Sequence, residues 1–157
     1  MVTSLNKLAK EIIEQNQYMT MGTSGDGKNP WVSPVVYAYD GDWNFYFISI
    51  PDSRHCLNMR TDRNIALAIF DSRQKLGEGI GLQIEGSVSE VKLTELPKAA
   101  LVYFKRKYPF GKMRHAFAAA FKNFLNDKLY RFYKITPSKI WINDPNSKIN
   151  VRVEVKL

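Results

Sequence analysis

The sequence is poor in the residues that most enzymes use for catalysis: it has one cysteine, Cys56, and two histidines, His55 and His115. A single thiol cannot form a disulfide within the chain, and no Cys/His group has the spacing of a metal site. Cys56 adjoins His55, but neighbours on a helix do not face each other, which argues against a Cys–His nucleophile. Nothing pairs either histidine with a carboxylate as a serine triad requires. Any chemistry is therefore expected to come from an organic cofactor.

Long hydrophobic runs are also missing. The apolar runs at 65–70 and 99–104 are six residues each, too short to span a bilayer. Charged residues interrupt the N-terminal segment, so it does not have the pattern of a signal peptide. We expect a cytoplasmic protein without membrane association. A length of 157 residues with 45% hydrophobic content predicts one folded domain over residues 1–157.

Positive charge is in excess: 23 lysines and arginines against 15 acids give a net charge of +8. This predicts an anionic partner without choosing among nucleic acid, a membrane surface and a phosphorylated small molecule. Part of the excess lies in 103–117, where basic and aromatic residues alternate. This segment is either a nucleic-acid-binding element, a cationic rim near an anionic ligand, or a pair of solvated helices. The last two are favoured, because no strand carries the paired aromatics of a single-strand platform.

Hydrophobic periodicity predicts a mainly β protein with appended helices. Strands are predicted at 18–23, 31–39, 43–50, 64–70, 80–92, 129–135, 139–142 and 151–157, with a bulge at Gly86. Helices are predicted at 4–16, 53–60, 94–108 and 112–126, with Thr94 as a cap. This order indicates an antiparallel barrel and not a doubly wound parallel sheet.

The segment after the third predicted strand, SIPDSRHCLNMR at 49–60, has the composition of an anion site. A helix N-terminus offers free N–H groups and partial positive charge, to which Ser53 adds a hydroxyl and Arg54 a guanidinium. His55 or Asn58 would assist. The alternative is an ordinary surface helix with a solvated arginine, and on this motif alone the alternative is favoured.

Two further stretches could contact a ligand. In WVSPVVY, 31–37, Pro34 lacks an N–H and leaves neighbouring backbone groups free to face a flat heteroaromatic ring; alternatively it protects an edge strand. In GEGIGLQIEG, 77–86, a strand follows the glycines, so this is no Rossmann fingerprint. Gln83 could then bond a ligand ring or be an ordinary surface residue.

Together, MTMGTSGDGKNPWVSPVVYAYDGDWNFYFISIPDSRHCLNMRTDRNIALAIFD and GLQIEGSV resemble the pyridoxamine 5′-phosphate oxidase-like, FMN-binding split-barrel proteins. The later segments YFKRKYPFGKMRHAF and LYRFYKITPSKIWINDP resemble a poorly characterised bacterial branch of that superfamily. The resemblance covers about 18–92. It implies a split β-barrel homodimer with two FMN sites at its interface. It also implies ring contacts from one strand and from the end of the next, and phosphate contacts from the serine-arginine stretch; the matching residues are Ser33, Pro34, Val35, Val36, Ile48, Ser49, Ser53 and Arg54.

The chain departs from that family in three places. His55 stands where the oxidases carry lysine, which implies a weaker or pH-dependent phosphate contact. Gln83 is two residues from the position of the family's ring-binding glutamine. The C-terminal arginine-and-histidine motif that reads the vitamin B6 substrate is missing, since the chain ends VRVEVKL.

We therefore expect an FMN-dependent oxidoreductase with an unknown small-molecule substrate or electron donor, and we assign no catalytic residue. A flavin carrier or sensor without turnover is the main alternative, and a nucleic-acid-binding module using 103–117 is a weaker one. Deazaflavin or haem could replace FMN, because the positive charge of the chain suits all three.

Overall fold

The structure, a computed structural model, describes residues 2–25, 29–107, 129–147, 149 and 151–156. Within these ranges it has three helices: α1 (Val2–Gln15), α2 (Arg54–Thr61) and α3 (Leu96–Lys105). The strands of the same ranges are β1 (Tyr18–Thr23), β2 (Trp31–Val36), β3 (Ala38–Tyr39), β4 (Phe45–Ser49), β5 (Asn64–Phe70), β6 (Gly81–Glu90), β7 (Arg131–Asn143) and β8 (Arg152–Val155).

The described strands form one antiparallel sheet in the order β2-β1-β5-β6-β7-β4-β3. Strand β8 pairs with the C-terminal part of β7, along the edge opposite β6. The sheet curves into half a barrel, with the three helices appended. A mainly antiparallel sheet of the split-barrel type, as predicted, is therefore confirmed. No helix among the described residues is both long and apolar enough to cross a membrane.

The main core fills the concave side of the sheet. Every second residue of a strand points to the same face, so the alternating apolar residues of β1, β5 and β6 meet those of β4 and β7 there. Helix α1 closes this side with its buried face. The larger members of this core are Ile13, Met19, Met21, Tyr37, Phe45, Phe47, Ile69, Leu82, Ile84, Ile135 and Ile140.

A second, smaller core lies on the opposite face of β4 and β7. Here α3 packs Ala99, Ala100 and Tyr103 against Tyr46 and Phe132. The ring of Tyr103 meets that of Phe132 edge-on, with centroids 5.7 Å apart. Strand β4 is therefore covered on both faces, which explains its nearly continuous apolar sequence.

The predicted pair of strands at 129–135 and 139–142 is wrong: β7 is one strand that passes through Pro137. The register of β6 against β7 shifts between Glu85 and Gly86, so Pro137 lies at a bulge. A proline needs no partner for its missing N–H at such a point. The predicted bulge at Gly86 is confirmed, and a Cβ there would lie 2.7 Å from the Thr136 carbonyl oxygen.

Other boundaries differ by a few residues. The predicted strand at 31–39 is divided into β2 and β3 at Tyr37. The cap predicted at Thr94 is wrong: Glu95 is the N-cap of α3, and the Lys92 carbonyl accepts bonds from the Glu95 and Leu96 N–H groups. The helix predicted at 112–126, and the part of the basic segment from 108 to 117, lie outside the described residues.

Candidate functional site

A tight turn after β4 returns the chain to the end of its own strand. The Ser53 N–H donates to the Ile50 carbonyl at 3.0 Å, and α2 begins at the next residue. This reversal brings the Ser53 hydroxyl within 3.2 Å of the Ser49 hydroxyl. Two polar side chains four residues apart in sequence thus meet above the end of β4.

The imidazole of His55 lies at the centre of this arrangement. Its Nε2 atom is 2.8 Å from the Ser49 hydroxyl and 3.2 Å from the Ser53 hydroxyl. Its Nδ1 atom is 3.2 Å from the hydroxyl of Ser33. Both ring nitrogens therefore have hydroxyl partners, and each hydroxyl can donate or accept according to the tautomer. We call Ser33, Ser49, Ser53 and His55 the serine–histidine cluster.

Strand β2 contributes Ser33 because of its register with β1. Ser33 is opposite Met21, a fully buried residue of the core face, so the serine points inward and is itself buried. Four of the residues predicted for the site are thus brought together from β2, β4 and α2. The sequence predicted Ser33 and Ser49 for a ring and Ser53 and His55 for a phosphate; the structure places the three serines around the imidazole of His55.

Arg54 lies beside this cluster on the exposed side of α2. Its guanidinium carbon is 4.2 Å from the ring centroid of Trp31, a stacking distance for a cation–π contact. Trp31 was not predicted as a partner of Arg54 from the sequence. The sequence feature that could have indicated Trp31 is its position two residues before Ser33, which places both side chains on the same face of β2.

The first turn of α2 is open to an anion. Ser53 is its N-cap residue by position, yet its hydroxyl makes no capping bond, because it is directed to Ser49 and His55. The first N–H groups of a helix have no acceptor within the helix. The partial positive charge of the helix terminus therefore adds to the charge of the Arg54 guanidinium.

The buried thiol of Cys56 lies next to the cluster, a position that was not predicted from the sequence. Burial by itself would raise its pKa, but contacts with the side chains of His55, Ser53, Tyr133 and Ser49 outweigh this and lower it. The pKa of the Tyr133 hydroxyl is raised, first by burial and then by the thiol. The Cys56 thiol and the Tyr133 hydroxyl thus place further polar groups next to the serines of the site.

Asn58, one turn further along α2, has a different position. Its amide donates to the Thr23 hydroxyl at 3.1 Å, at the end of β1. A Cβ on Gly25 would come within 2.8 Å of the Asn58 side-chain oxygen, so the chain after β1 passes very close to α2. Asn58 thus joins α2 to the connection between β1 and β2, and the structure does not bring it to the cluster.

The remaining residues predicted on β2 and β4 are spread over both faces. Pro34 is exposed, while Val35 packs on the main core and Val36 and Ile48 pack near α3. In the described sheet β2 is the terminal strand, the position that the edge-strand interpretation of Pro34 predicts.

Gln83 lies on the convex face of the sheet, away from the cluster. It is exposed between the buried residues Leu82 and Ile84, and its side-chain oxygen accepts a bond from the Arg152 Nε at 3.0 Å. It lines a groove of about 580 Å³ on that face. Ser33 points to the concave face, so the fold of this chain does not bring Gln83 and the serine–histidine cluster together.

Comparison with known proteins decides the family. The family model of pyridoxamine 5′-phosphate oxidase matches residues 5–142, most of the chain. The chain belongs to this family. A search of curated proteins found no match.

Solved structures with the same fold include proteins described as binding different ligands. A protein of unknown function from Agrobacterium tumefaciens has a TM-score of 0.70 at 17% identity, over 94% of this chain and 58% of that one. A heme binding protein from Mycobacterium smegmatis has 0.72 at 14% identity, over 96% and 57%. An FAD-binding protein from Mesorhizobium loti has 0.62 at 14%, over 87% and 90%. This chain therefore spans a little over half the length of the first and second of these proteins.

The donor set of this member of the oxidase family fits a phosphate monoester. Three hydroxyls and an imidazole converge beside a guanidinium and an open helix terminus. Hydroxyl and guanidinium groups are the donors that phosphate oxygens accept from most often, together with helix N–H groups. No group of three or more possible metal ligands occurs among the described residues.

Proposed function

We propose that this protein binds FMN and is a flavin-dependent oxidoreductase acting on a small molecule. The observation that carries the proposal is the convergence of Ser49, Ser53 and His55 at the first turn of α2, beside Arg54. Membership of the pyridoxamine 5′-phosphate oxidase family supports a flavin ligand, since a relative of the same fold is described as FAD-binding.

In this proposal the phosphate of the ligand enters between Arg54 and the serine–histidine cluster. The hydroxyls of Ser49 and Ser53 turn from His55 toward the phosphate oxygens, and His55 donates from Nε2. Arg54 needs no large movement, because its stacking on Trp31 already holds the guanidinium at the rim of the site. The helix terminus adds its N–H groups to the same oxygens.

The ring would lie along β2, which begins at the phosphate end of the site. A bound flavin supplies hydride transfer. The chain supplies orientation: the buried Ser33 anchors β2 to His55, and the backbone around Pro34 faces the ring. The same proposal includes a cytoplasmic homodimer in which the second subunit completes the ring site, as the resemblance to the split-barrel proteins implies.

The test begins with protein purified without added cofactor. We expect a yellow protein whose released ligand has the mass of FMN, or an apoprotein that acquires the flavin absorbance bands when FMN is added. Arg54→Ala should weaken uptake, while Arg63→Ala, an exposed arginine beyond the end of α2, should not. A colourless protein that takes up no FMN, or one that releases haem instead, contradicts the proposal.

A flavin carrier or sensor is the second candidate. The observation that favours it is that the residues gathered at the cluster are donors that hold a phosphate, since hydroxyl and guanidinium groups bind such a ligand without reacting with it. Anaerobic reduction of the FMN-loaded protein with NADH or NADPH, followed by a screen of electron acceptors, separates the two. Turnover with any acceptor supports the oxidoreductase, and failure across all donors and acceptors supports the carrier.

A further inference from the structure

A second cavity lies at the other end of β4. It is a groove of about 690 Å³ between α1, the turn from β3 to β4, and the C-terminal end of α3. Its lining includes two aromatic residues, Tyr39 and Trp43, and three lysines, Lys10, Lys105 and Lys107. We call it the α1–α3 groove. Its volume is in the range of small-molecule sites.

Trp43 is held toward this groove by an unfavourable backbone conformation. Its φ is +63°, in the left-handed region, and it is the only residue other than glycine with a positive φ in the described part of the chain. The hairpin turn closes through Asp40, whose N–H donates to the Asn44 carbonyl at 3.0 Å. A glycine or asparagine suits this position of a hairpin far better than tryptophan. Strained residues of this kind cluster at binding sites.

The lysines of the groove have no acidic partners in the described structure. The Nζ atom of Lys10 lies 5.5 Å from the centroid of the Trp43 ring, and no carboxylate of a described residue forms an ion pair with Lys10, Lys105 or Lys107. Three lysines thus line the same groove as two aromatic rings.

The two acids of the groove are already engaged. Asp40 accepts from the Asn44 amide at 3.1 Å and from the Tyr46 hydroxyl at 2.9 Å, and lies 3.8 Å from the Lys98 ammonium. Glu14 interacts with the Tyr39 hydroxyl and, after burial, raises the pKa of that phenol. These contacts leave the negative charge of both acids in place, but the three lysines and Arg106 of the lining outnumber the two acids, so the groove has a net attraction for anions.

Arg106 fixes the two walls of the groove to each other. Its guanidinium donates to the carbonyls of Ile13, Asn16 and Tyr37, and lies 4.3 Å from the Tyr37 ring centroid. These bonds tie the residue after α3 to the C-terminal end of α1. The groove is thus framed by a partly buried network and does not depend on the lysines for its shape.

We infer that the α1–α3 groove binds an aromatic anion of about the size of a mononucleotide. The ring would stack on Trp43 and Tyr39, and its phosphate or carboxylate would lie among the three lysines. This site is distinct from the serine–histidine cluster. Phe45 and Ser49, at the two ends of β4, are about 13 Å apart at roughly 3.3 Å per residue.

Adenosine 5′-monophosphate is the probe for the test, titrated into the full-length protein by calorimetry. The double substitution Lys105→Gln with Lys107→Gln should weaken AMP binding about tenfold, because each exposed charge contributes modestly. Lys75→Gln with Lys92→Gln, a matched pair of exposed lysines elsewhere, should leave it unchanged. Adenosine should bind about tenfold more weakly than AMP.

Trp43→Gly is a second test variant, and this substitution should not destabilise the hairpin turn. Glycine accepts the φ of this position without strain, so the hairpin should form while the stacking surface is lost. We expect AMP binding to fall at least tenfold with a cooperative thermal transition retained. Undiminished AMP binding by Trp43→Gly or by the Lys105/Lys107 variant overturns the inference, as does equal binding of adenosine.

A competition experiment distinguishes the proposed FMN site from the groove. AMP should bind equally well with and without saturating FMN, and equally well to wild type and Arg54→Ala. If FMN displaces AMP, and the groove variants lose FMN as well, the groove is the flavin site and the inference of a second site is wrong. Absence of AMP binding at millimolar concentration also overturns it.

Discussion

The Nε2 atom of His55 lies 2.8 Å from the hydroxyl of Ser49, so a side-chain bond joins the first turn of α2 to the end of β4. The same imidazole bonds Ser33 through Nδ1. Three elements that are separate in sequence are joined at one ring. We interpret this ring as the organising group of the proposed phosphate site.

Replacing His55 should weaken FMN binding without unfolding the protein. His55→Ala removes one donor to the phosphate, and a hydrogen bond to a charged group contributes about 1.5–3 kcal/mol, so the dissociation constant should rise roughly 10- to 100-fold. His55→Lys, the residue of the oxidases at this position, should retain most of the affinity. Flavin fluorescence titration measures both variants, and equal affinities of wild type and His55→Ala would refute the role.

Trp31 should increase the affinity for FMN indirectly, by holding Arg54 in place. Loss of the stacked ring in Trp31→Leu frees the guanidinium, and an exposed cation–π contact contributes about 0.5–1 kcal/mol, so FMN binding should weaken roughly two- to fivefold. Trp31→Phe keeps a ring and should lose less. In an Arg54→Ala background the tryptophan substitution should have no further effect. Equal losses in both backgrounds would show that Trp31 acts independently of Arg54.

Gly86 should be intolerant of any side chain. Its Cβ would lie 2.7 Å from the backbone oxygen of Thr136, and backbone cannot move aside as a flexible side chain can. Gly86→Ala should therefore reduce the free energy of unfolding by about 1–3 kcal/mol in a urea titration. The control is Gly79→Ala, where the added methyl meets nothing within 4 Å. Its effect should be below about 0.5 kcal/mol.

Alkaline stability should depend on Tyr37. Burial raises the pKa of its hydroxyl from 10.0 to about 12, although the Arg106 guanidinium beside it acts in the opposite direction. The folded protein holds this proton more tightly than the unfolded chain, so the contribution is complete below pH 10 and is lost as the pH rises to 12. Two pKa units correspond to about 2–3 kcal/mol.

The matched variant is Tyr37→Phe, which lacks the titrating group. Below pH 10 it should be about 1 kcal/mol less stable, because the 2.8 Å bond from the Tyr37 hydroxyl to the Ile13 carbonyl is lost. Between pH 10 and 12 its stability should fall less steeply than that of wild type. The free energy of unfolding of both proteins is measured by urea titration at several pH values. If it falls equally steeply with pH for wild type and Tyr37→Phe, Tyr37 does not cause the loss of stability at alkaline pH.

The sequence predicted the fold well where periodicity and turn chemistry agree. The alternation of β1 and β5 and the Asp-Gly turn before β4 gave strands close to their observed bounds. It failed at Pro137, because a bulge opposite Gly86 lets a proline remain inside a long strand, and a bulge partner is a long-range contact that local patterns do not contain.

The site was predictable in its residue types and less so in its geometry. Ser53 and Arg54 could be chosen because hydroxyl and guanidinium groups at a helix start bind anions. The meeting of Ser33 with His55 depends on the register of β2 against β1, and the stacking of Trp31 on Arg54 depends on how α2 packs over that strand. Both are tertiary relationships. Gln83 is a further example. It was predicted as a possible ring contact, but β6 directs its side chain to the other face of the sheet.

The central claim, that the serine–histidine cluster and Arg54 hold a phosphate, is tested most directly by comparing FMN with riboflavin, which lacks only the phosphate. We predict by equilibrium dialysis that FMN binds about 100-fold or more tightly than riboflavin, as two or more charge-assisted bonds would give. Most of this preference should disappear in Arg54→Ala. Equal affinity of the wild-type protein for the two flavins, or no binding of either, would contradict the claim.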